Sequence, residues 1–391
     1  MINNILKQSF DYDGPSLKEL LTEKLENSGL TKTQFEKLAG IERKSLDSII
    51  DKTSKQTDTS KLIKLGEFLD LEFEKLLIIH YNNRSQEEIK ELQDSMDITF
   101  INKYFDLKTL ATLSFLDKKA DLEELKNRIC SYFGINSIYE YESTLNDVLF
   151  SRTKKTYSDK MKDFWIKSSY KYFELINNPN NFDRRSLIEL IPKIKPYTRN
   201  IENGLKTIFQ ALYNVGITVI FQPSLPKTHI RGATFVVNNK PCIVITDYNK
   251  NYATIWFALI HELHHVLYDL EIIEKTTYHL TGEPDLFLLQ EDKANDFASE
   301  YLLSEEKMRY IEKMIHNKLM VSRFANENQI HPCIIYSQFQ WRQTKEGNGY
   351  WGAFKDQFPN ISIATKNLNI ANWDVDSIKE TATKMRNLLT V

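Results

Sequence analysis

The segment Trp256-Phe257-Ala258-Leu259-Ile260-His261-Glu262-Leu263-His264-His265-Val266-Leu267 is apolar almost throughout, yet it carries three imidazoles and a carboxylate. A helical pattern that is apolar all round belongs to a helix wrapped by the rest of the fold, not one lying on its surface. Unpaired imidazoles and a carboxylate on such a helix cost several kcal/mol unless something binds them. A cation resolves that cost. His261 and His265 stand at i and i+4, one turn apart on one face. With Glu262 they form the H-E-x-x-H arrangement suited to zinc, which accepts imidazole nitrogen at about 2.0–2.1 Å in tetrahedral sites. Glu262 is turned by about 100° from His261, so it can face a water beside the ion without being a ligand.

A catalytic zinc takes a third protein ligand and keeps one position open. The best candidate lies on a second helical pattern, from about Leu286 to Leu303, within Glu291-Asp292-Lys293-Ala294-Asn295-Asp296-Phe297-Ala298. Glu291 and Asn295 share a face there, and Ala294 and Ala298 would let the two helices approach closely. Asp292 competes with Glu291 for the ligand role. Asn295 and His264 are expected to stand behind the ligands and orient them, His264 by packing more than by ligation. His279, His229 and Arg231 are further candidates for contact with substrate, and Tyr268 for the rim or core. The chemistry expected of this set is metal-assisted hydrolysis. A bound zinc lowers the pKa of water towards about 7 and stabilises the oxyanion. Glu262 takes the proton and returns it to the leaving amine. An extended peptide would be held by adding to a sheet edge.

Around these motifs the pattern is mostly helical. Ser16-Leu17-Lys18-Glu19 and Thr31-Lys32-Thr33-Gln34 read as capping boxes, and Gly29 and Gly40 as helix stops. Asn177-Asn178-Pro179-Asn180-Asn181 is a break. Ile217–Phe221, Ala233–Val237 and Cys242–Thr246 read as three strands, the last two a hairpin turning at Asn238-Asn239. The expected fold is α+β and mostly α. Its parts are an all-α domain at 14–80, a linker at 81–97, a helical spacer domain at 98–195, a domain with a small three-stranded sheet at 196–345, and a C-terminal extension at 346–391.

Charge is nearly balanced, with 51 Lys and Arg against 53 Asp and Glu in 391 residues, which excludes a chain built mainly to coat nucleic acid. The longest apolar run near the middle, Ile255–Ile260, is far below the roughly 20 residues of a membrane span. No signal peptide and no membrane association are expected. Cys130, Cys242 and Cys333 form no paired framework, which suits a reducing, cytoplasmic setting.

The sequence resembles the ImmA/IrrE family of metallo-endopeptidase-like proteins, in the subgroup with an N-terminal XRE-type helix-turn-helix. The resemblance is carried by Gly232-Ala233-Thr234, Lys240–Val244, Trp256–His265, Glu291–Ala298 with Leu302-Leu303, and Ile330-His331-Pro332. It covers about residues 190–345, and 14–80 for the helix-turn-helix. It implies a zincin-like domain with zinc on His261 and His265, an acidic ligand matching Glu291, and Glu262 as base. It also implies a protein substrate or partner such as a repressor, antitoxin or toxin, and a regulatory role. Related long chains are described as HigA-like antitoxins. The family helix often carries a second acid where Lys293 stands, and a small residue where His264 stands.

The helix-turn-helix reading places Lys32–Leu38 on the first helix, Ala39-Gly40-Ile41 in the turn and Glu42–Lys52 on the recognition helix. Lys32, Arg43, Lys44 and Ser45 are then the candidate DNA contacts. Glu42, Asp47 and Asp51 balance the cations of that helix, so the same fold could serve protein contact or homodimerisation instead. Two functions follow. One is a zinc endopeptidase cutting a regulatory protein and recruited by a DNA-binding module. The other is a DNA-binding regulator or antitoxin whose peptidase-like domain senses or binds a partner without cutting. A structural adaptor with a vestigial site is a third.

Overall fold

Serine and threonine caps begin the helices Leu17–Ser28 and Lys32–Ala39, and left-handed glycines end them. Ser16 Oγ accepts from the Glu19 amide at 3.2 Å while Glu19 Oε2 accepts from the Ser16 amide at 2.7 Å. Thr31 and Gln34 repeat the device. Gly29 and Gly40 close the two helices at φ of 66° and 61°. In the computed structural model, described for residues 5, 8–9, 11–51, 57–82, 86–143, 160–226, 228–248, 250–276, 278–281, 291–345, 347 and 352–390, the chain forms two compact units, Met1–Thr99 and Phe100–Val391.

In the first unit the helices Leu17–Ser28, Lys32–Ala39, Arg43–Ile50, Thr59–Phe68 and Phe73–Tyr81 enclose one core. Leu17, Leu21, Phe35, Ile41, Leu46, Ile49, Leu65 and Ile79 fill it. These are the apolar stripes of the sequence, each turned inward. Lys52 lies outside the described residues. The stretch read as a linker is helical in its second half, because the helix Gln86–Tyr104 runs through it.

In the second unit the stretches read as spacer, sheet domain and extension share one continuous core from Phe100 to Leu389. The helix Lys160–Ile176 packs on the C-terminal helix Ile378–Leu389 and on the sheet. Arg128 ties the extension down. Its Nε donates to Phe115 O at 2.7 Å, and its two terminal nitrogens donate to Val375 O at 2.8 Å and Trp373 O at 2.9 Å. Trp165 Nε1 donates to Pro223 O at 3.2 Å, and Gln222 Nε2 donates to Trp165 O at 3.0 Å. The helical region therefore buttresses the end of the sheet.

That sheet has four strands where three are expected from sequence. They are β1 (Thr218–Phe221), β2 (Gly232–Val237), β3 (Lys240–Ile245) and β4 (Tyr278–Thr281), in the order β1-β3-β2-β4. β4 is only four residues long, so its alternation of Tyr278 and Leu280 with His279 and Thr281 is too short to announce a strand. β1 runs parallel to β3, and the other pairs are antiparallel. Asn238 and Asn239 turn the β2–β3 hairpin at φ of 52° and 59°, the positive pair that a two-residue hairpin needs. The register sets Gly232 opposite Thr281 and Thr234 opposite His279. In an antiparallel pair, residues opposite each other share a face, so these four lie on one side of the sheet.

The H-E-x-x-H helix spans Tyr252–Tyr268 and packs on β2, β3 and the helix Glu291–Leu302. Ala294 and Ala298 on the second helix are both fully buried. The second helix begins at Glu291; residues 282–290, which include the expected start near Leu286, lie outside the described residues. No helix among the described residues is long and apolar enough to cross a membrane.

Candidate metal centre

The i and i+4 spacing brings His261 and His265 together, with their Nε2 atoms 3.1 Å apart. Glu291, the first residue of its helix, meets both. Its Oε2 is 3.4 Å from His261 Nε2, and its Oε1 is 3.2 Å from His265 Nε2. The other ring nitrogens are occupied. His261 Nδ1 is 3.1 Å from Asn295 Oδ1, and His265 Nδ1 is 2.8 Å from Asp269 Oδ2. With Nδ1–H donated to those oxygens, each Nε2 presents a lone pair to the same point. Two lone pairs and a carboxylate converging in a buried spot repel one another unless positive charge stands among them.

The donor set fits a divalent ion. Four ligands at about 2.0–2.1 Å around zinc lie roughly 3.3–3.4 Å from one another, close to the separations just given. Two imidazoles and a carboxylate are ligand types that zinc accepts. The electrostatics say the same. Burial works against ionisation of Glu291, but where His261, His265 and His279 are protonated in place of a bound ion, their hydrogen bonds override it and hold the carboxyl far below the ordinary range. Burial likewise lowers His265, but the bonds to Asp269 and Glu291 raise it to about 9. The site attracts cations, whether protons or a metal.

Glu262 is fully buried. Thr234 Oγ1 donates to its Oε2 at 2.7 Å and Thr281 Oγ1 to its Oε1 at 2.6 Å. Gly232 makes this approach possible, since a Cβ there would lie 2.5 Å from Glu262 Oε1. Thus β2 and β4 hold the carboxylate from the sheet side while the helix supplies it from the other. His279 on β4, also buried, places its Nε2 2.7 Å from Glu291 Oε1 and its ring 4.5 Å from that of His265.

The remaining candidates separate. Asp292 and Lys293 are exposed, so Lys293 does not intrude between Glu291 and the imidazoles. His264 packs between Tyr268 and Phe297, with ring centroids at 4.8 and 5.5 Å, and its Nδ1 is 3.8 Å from Asp269 Oδ2. Burial pushes its pKa down. His229 Nδ1 meets Tyr248 Oη at 2.8 Å. Asp269 was not singled out by sequence reasoning, although it lies at i+4 from His265 and the spacing that pairs the histidines also reaches it. Thr234, Thr281 and Gly232 depend on strand register, which the sequence alone did not supply.

The candidate DNA contacts of the first unit are largely occupied. Lys32 Nζ bonds Asp47. Arg43 Nε lies 3.9 Å from the same carboxylate. Ser45 Oγ accepts from Lys61 Nζ at 2.9 Å. Lys44 is exposed.

No curated protein and no solved structure matches the chain. Residues 214–327, which hold the whole sheet and both helices of the centre, match the family model of the IrrE N-terminal-like domain, Peptidase_M78, so the second unit carries a zincin-like domain of a metallopeptidase family.

Proposed function

We propose that the chain is a zinc-dependent endopeptidase that cuts a regulatory protein, a repressor or an antitoxin, and that its N-terminal helices form a helix-turn-helix that brings it to DNA. The observation that carries the peptidase reading is the convergence of His261 Nε2, His265 Nε2 and both Glu291 oxygens within 3.1–3.4 Å. His261, His265 and Glu291 would hold zinc, with Asn295 and Asp269 fixing the imidazole tautomers. Zinc, when bound, supplies the Lewis acidity that makes water a nucleophile near neutral pH. Glu262 accepts the proton of the attacking water and returns it to the departing amine, while Thr234 and Thr281 keep its carboxylate in one orientation. Among the described residues β4 is a sheet edge, and an extended substrate segment can pair along Tyr278–Thr281.

The alternative, a DNA-binding regulator or antitoxin that senses or binds a partner without cutting, draws support from one observation. Both Glu262 oxygens are already taken by threonine hydroxyls, and the residue is fully buried. The deciding experiment is metal analysis of the wild type, His261→Ala and Glu262→Gln, joined to incubation with the protein encoded beside it. The peptidase reading expects bound zinc in wild type and Glu262→Gln, none in His261→Ala, and cleavage by wild type alone. A wild-type chain without stoichiometric metal ends that reading. Zinc retention without cleavage of any neighbouring product supports the alternative.

A further inference from the structure

At the amino end of the H-E-x-x-H helix lies a cleft of about 660 Å³, distinct from the three metal-ligand candidates. Its wall is drawn from distant parts of the second unit: Arg231 at the start of β2, Tyr248 and Lys250 in the turn after β3, Thr254 in the helix, and Lys355 and Phe358 near the C-terminus. Three of these are cations, and none of the described lining residues is an acid. Arg231, Lys250 and Lys355 form no ion pair among the described residues, and the nearest acids in sequence are committed elsewhere. Asp356 pairs with Lys318. Asp247 accepts from the Ser224 amide at 2.8 Å and from its hydroxyl at 3.1 Å. All three are exposed, and together they give this concavity a positive potential that favours an anion.

The remaining chemistry narrows the anion. The volume lies in the range of small-molecule sites, roughly 300–1,000 Å³. Tyr248 and Phe358 add aromatic surface beside the cations, and a planar ring can stack on such surface. Asn251 caps the helix by accepting from the Ala253 amide at 2.9 Å, and Thr254 follows in the first turn, so the positive end of the helix dipole faces the same region. We propose that this cleft binds an organic polyphosphate with a planar ring, of the nucleoside diphosphate type: the phosphates lie against Arg231, Lys250 and Lys355, and the ring against Tyr248 or Phe358. The site stands on the cleft and its charges, independently of the peptidase reading.

The test is calorimetric titration of the full chain with ADP at low salt, with adenosine and a glutamate-rich peptide as comparison probes. ADP is expected to bind and adenosine to bind far more weakly. Lys355→Ala and Arg231→Ala should each weaken ADP by about tenfold or more, as loss of a charge-assisted bond to phosphate requires, and raised salt should weaken it further. Lys355 is exposed in a short 3-10 helix, so its variant keeps the question answerable if Arg231→Ala folds poorly. His261→Ala should retain ADP binding, which separates this cleft from nucleotide held on the metal. No ADP binding at millimolar concentration overturns the proposal. So does binding that survives Lys355→Ala, adenosine binding as tight as ADP, loss of ADP in His261→Ala, or binding of the acidic peptide alone.

Discussion

Replacing Thr234 by valine removes one hydroxyl and almost no volume, and it isolates what holds Glu262. The hydroxyl donates to Glu262 Oε2 at 2.7 Å in a fully buried setting. A hydrogen bond to a charged group contributes about 1.5–3 kcal/mol, and a neutral one about 0.5–1.5 kcal/mol. Thr234→Val should therefore cost about 2–3 kcal/mol with Glu262 in place, but only about 1 kcal/mol in a Glu262→Gln background. The coupling in this double-mutant cycle is then about 1–2 kcal/mol. Urea denaturation followed by tryptophan fluorescence measures it, because Trp165, Trp256, Trp341, Trp351 and Trp373 all belong to the unit Phe100–Val391 and the first unit is silent. Zinc must be kept at one fixed excess, since any ligand of the folded state adds its own stabilisation. Thr281→Val should give a similar cycle through Oε1. Additivity within about 0.3–0.5 kcal/mol in both cycles would show that the two hydroxyls do not hold this carboxylate.

Asp269→Asn should lower zinc affinity by about 10–100-fold, because it weakens the acceptor that fixes the His265 ring; competition against a chromogenic chelator reads this, and an unchanged affinity counts against Asp269 as the orienting group. Gly216→Ala should destabilise the second unit by about 2–4 kcal/mol. Gly216 has φ of 87°, and a Cβ there would lie 2.4 Å from the Asn181 and Phe182 backbone; a thermal melt within a degree or two of wild type would contradict the described turn. Asp47→Asn should tighten binding to mixed-sequence duplex DNA several-fold at low salt, since it frees Lys32 and Arg43 and removes one repelling charge. Fluorescence anisotropy at two salt concentrations checks it, and no change would indicate that this helix face does not meet phosphate.

Features that obey a short repeat were legible in the sequence. The pairing of His261 with His265, the shared face of Glu291 and Asn295, the caps at Ser16 and Thr31, and the Asn238-Asn239 hairpin all follow from spacing within one element. Contacts that need two elements at once were not. β4 is too short to show a period, so His279 read as an isolated histidine although it touches Glu291. Thr234 belonged to a stretch that carried the family resemblance, but its place beside Glu262 depends on a strand register that spacing does not give. The stretches before and after the sheet domain read as separate pieces because nothing local reveals that Arg128 and Phe164 meet Trp373 or that Trp165 meets Pro223.

Arg128 and its three carbonyl partners bear on how this protein can be dissected. Any fragment trimmed to residues 214–327 would lack the helices Leu122–Phe133, Lys160–Ile176 and Ile378–Leu389, and would leave the ends of β1 and Phe221 facing water. The catalytic candidates sit on a scaffold that is closed only when the helix Ile378–Leu389 has docked. Expression of the matched segment alone is thus expected to yield an insoluble product, whereas Phe100–Val391 keeps the whole of this interior.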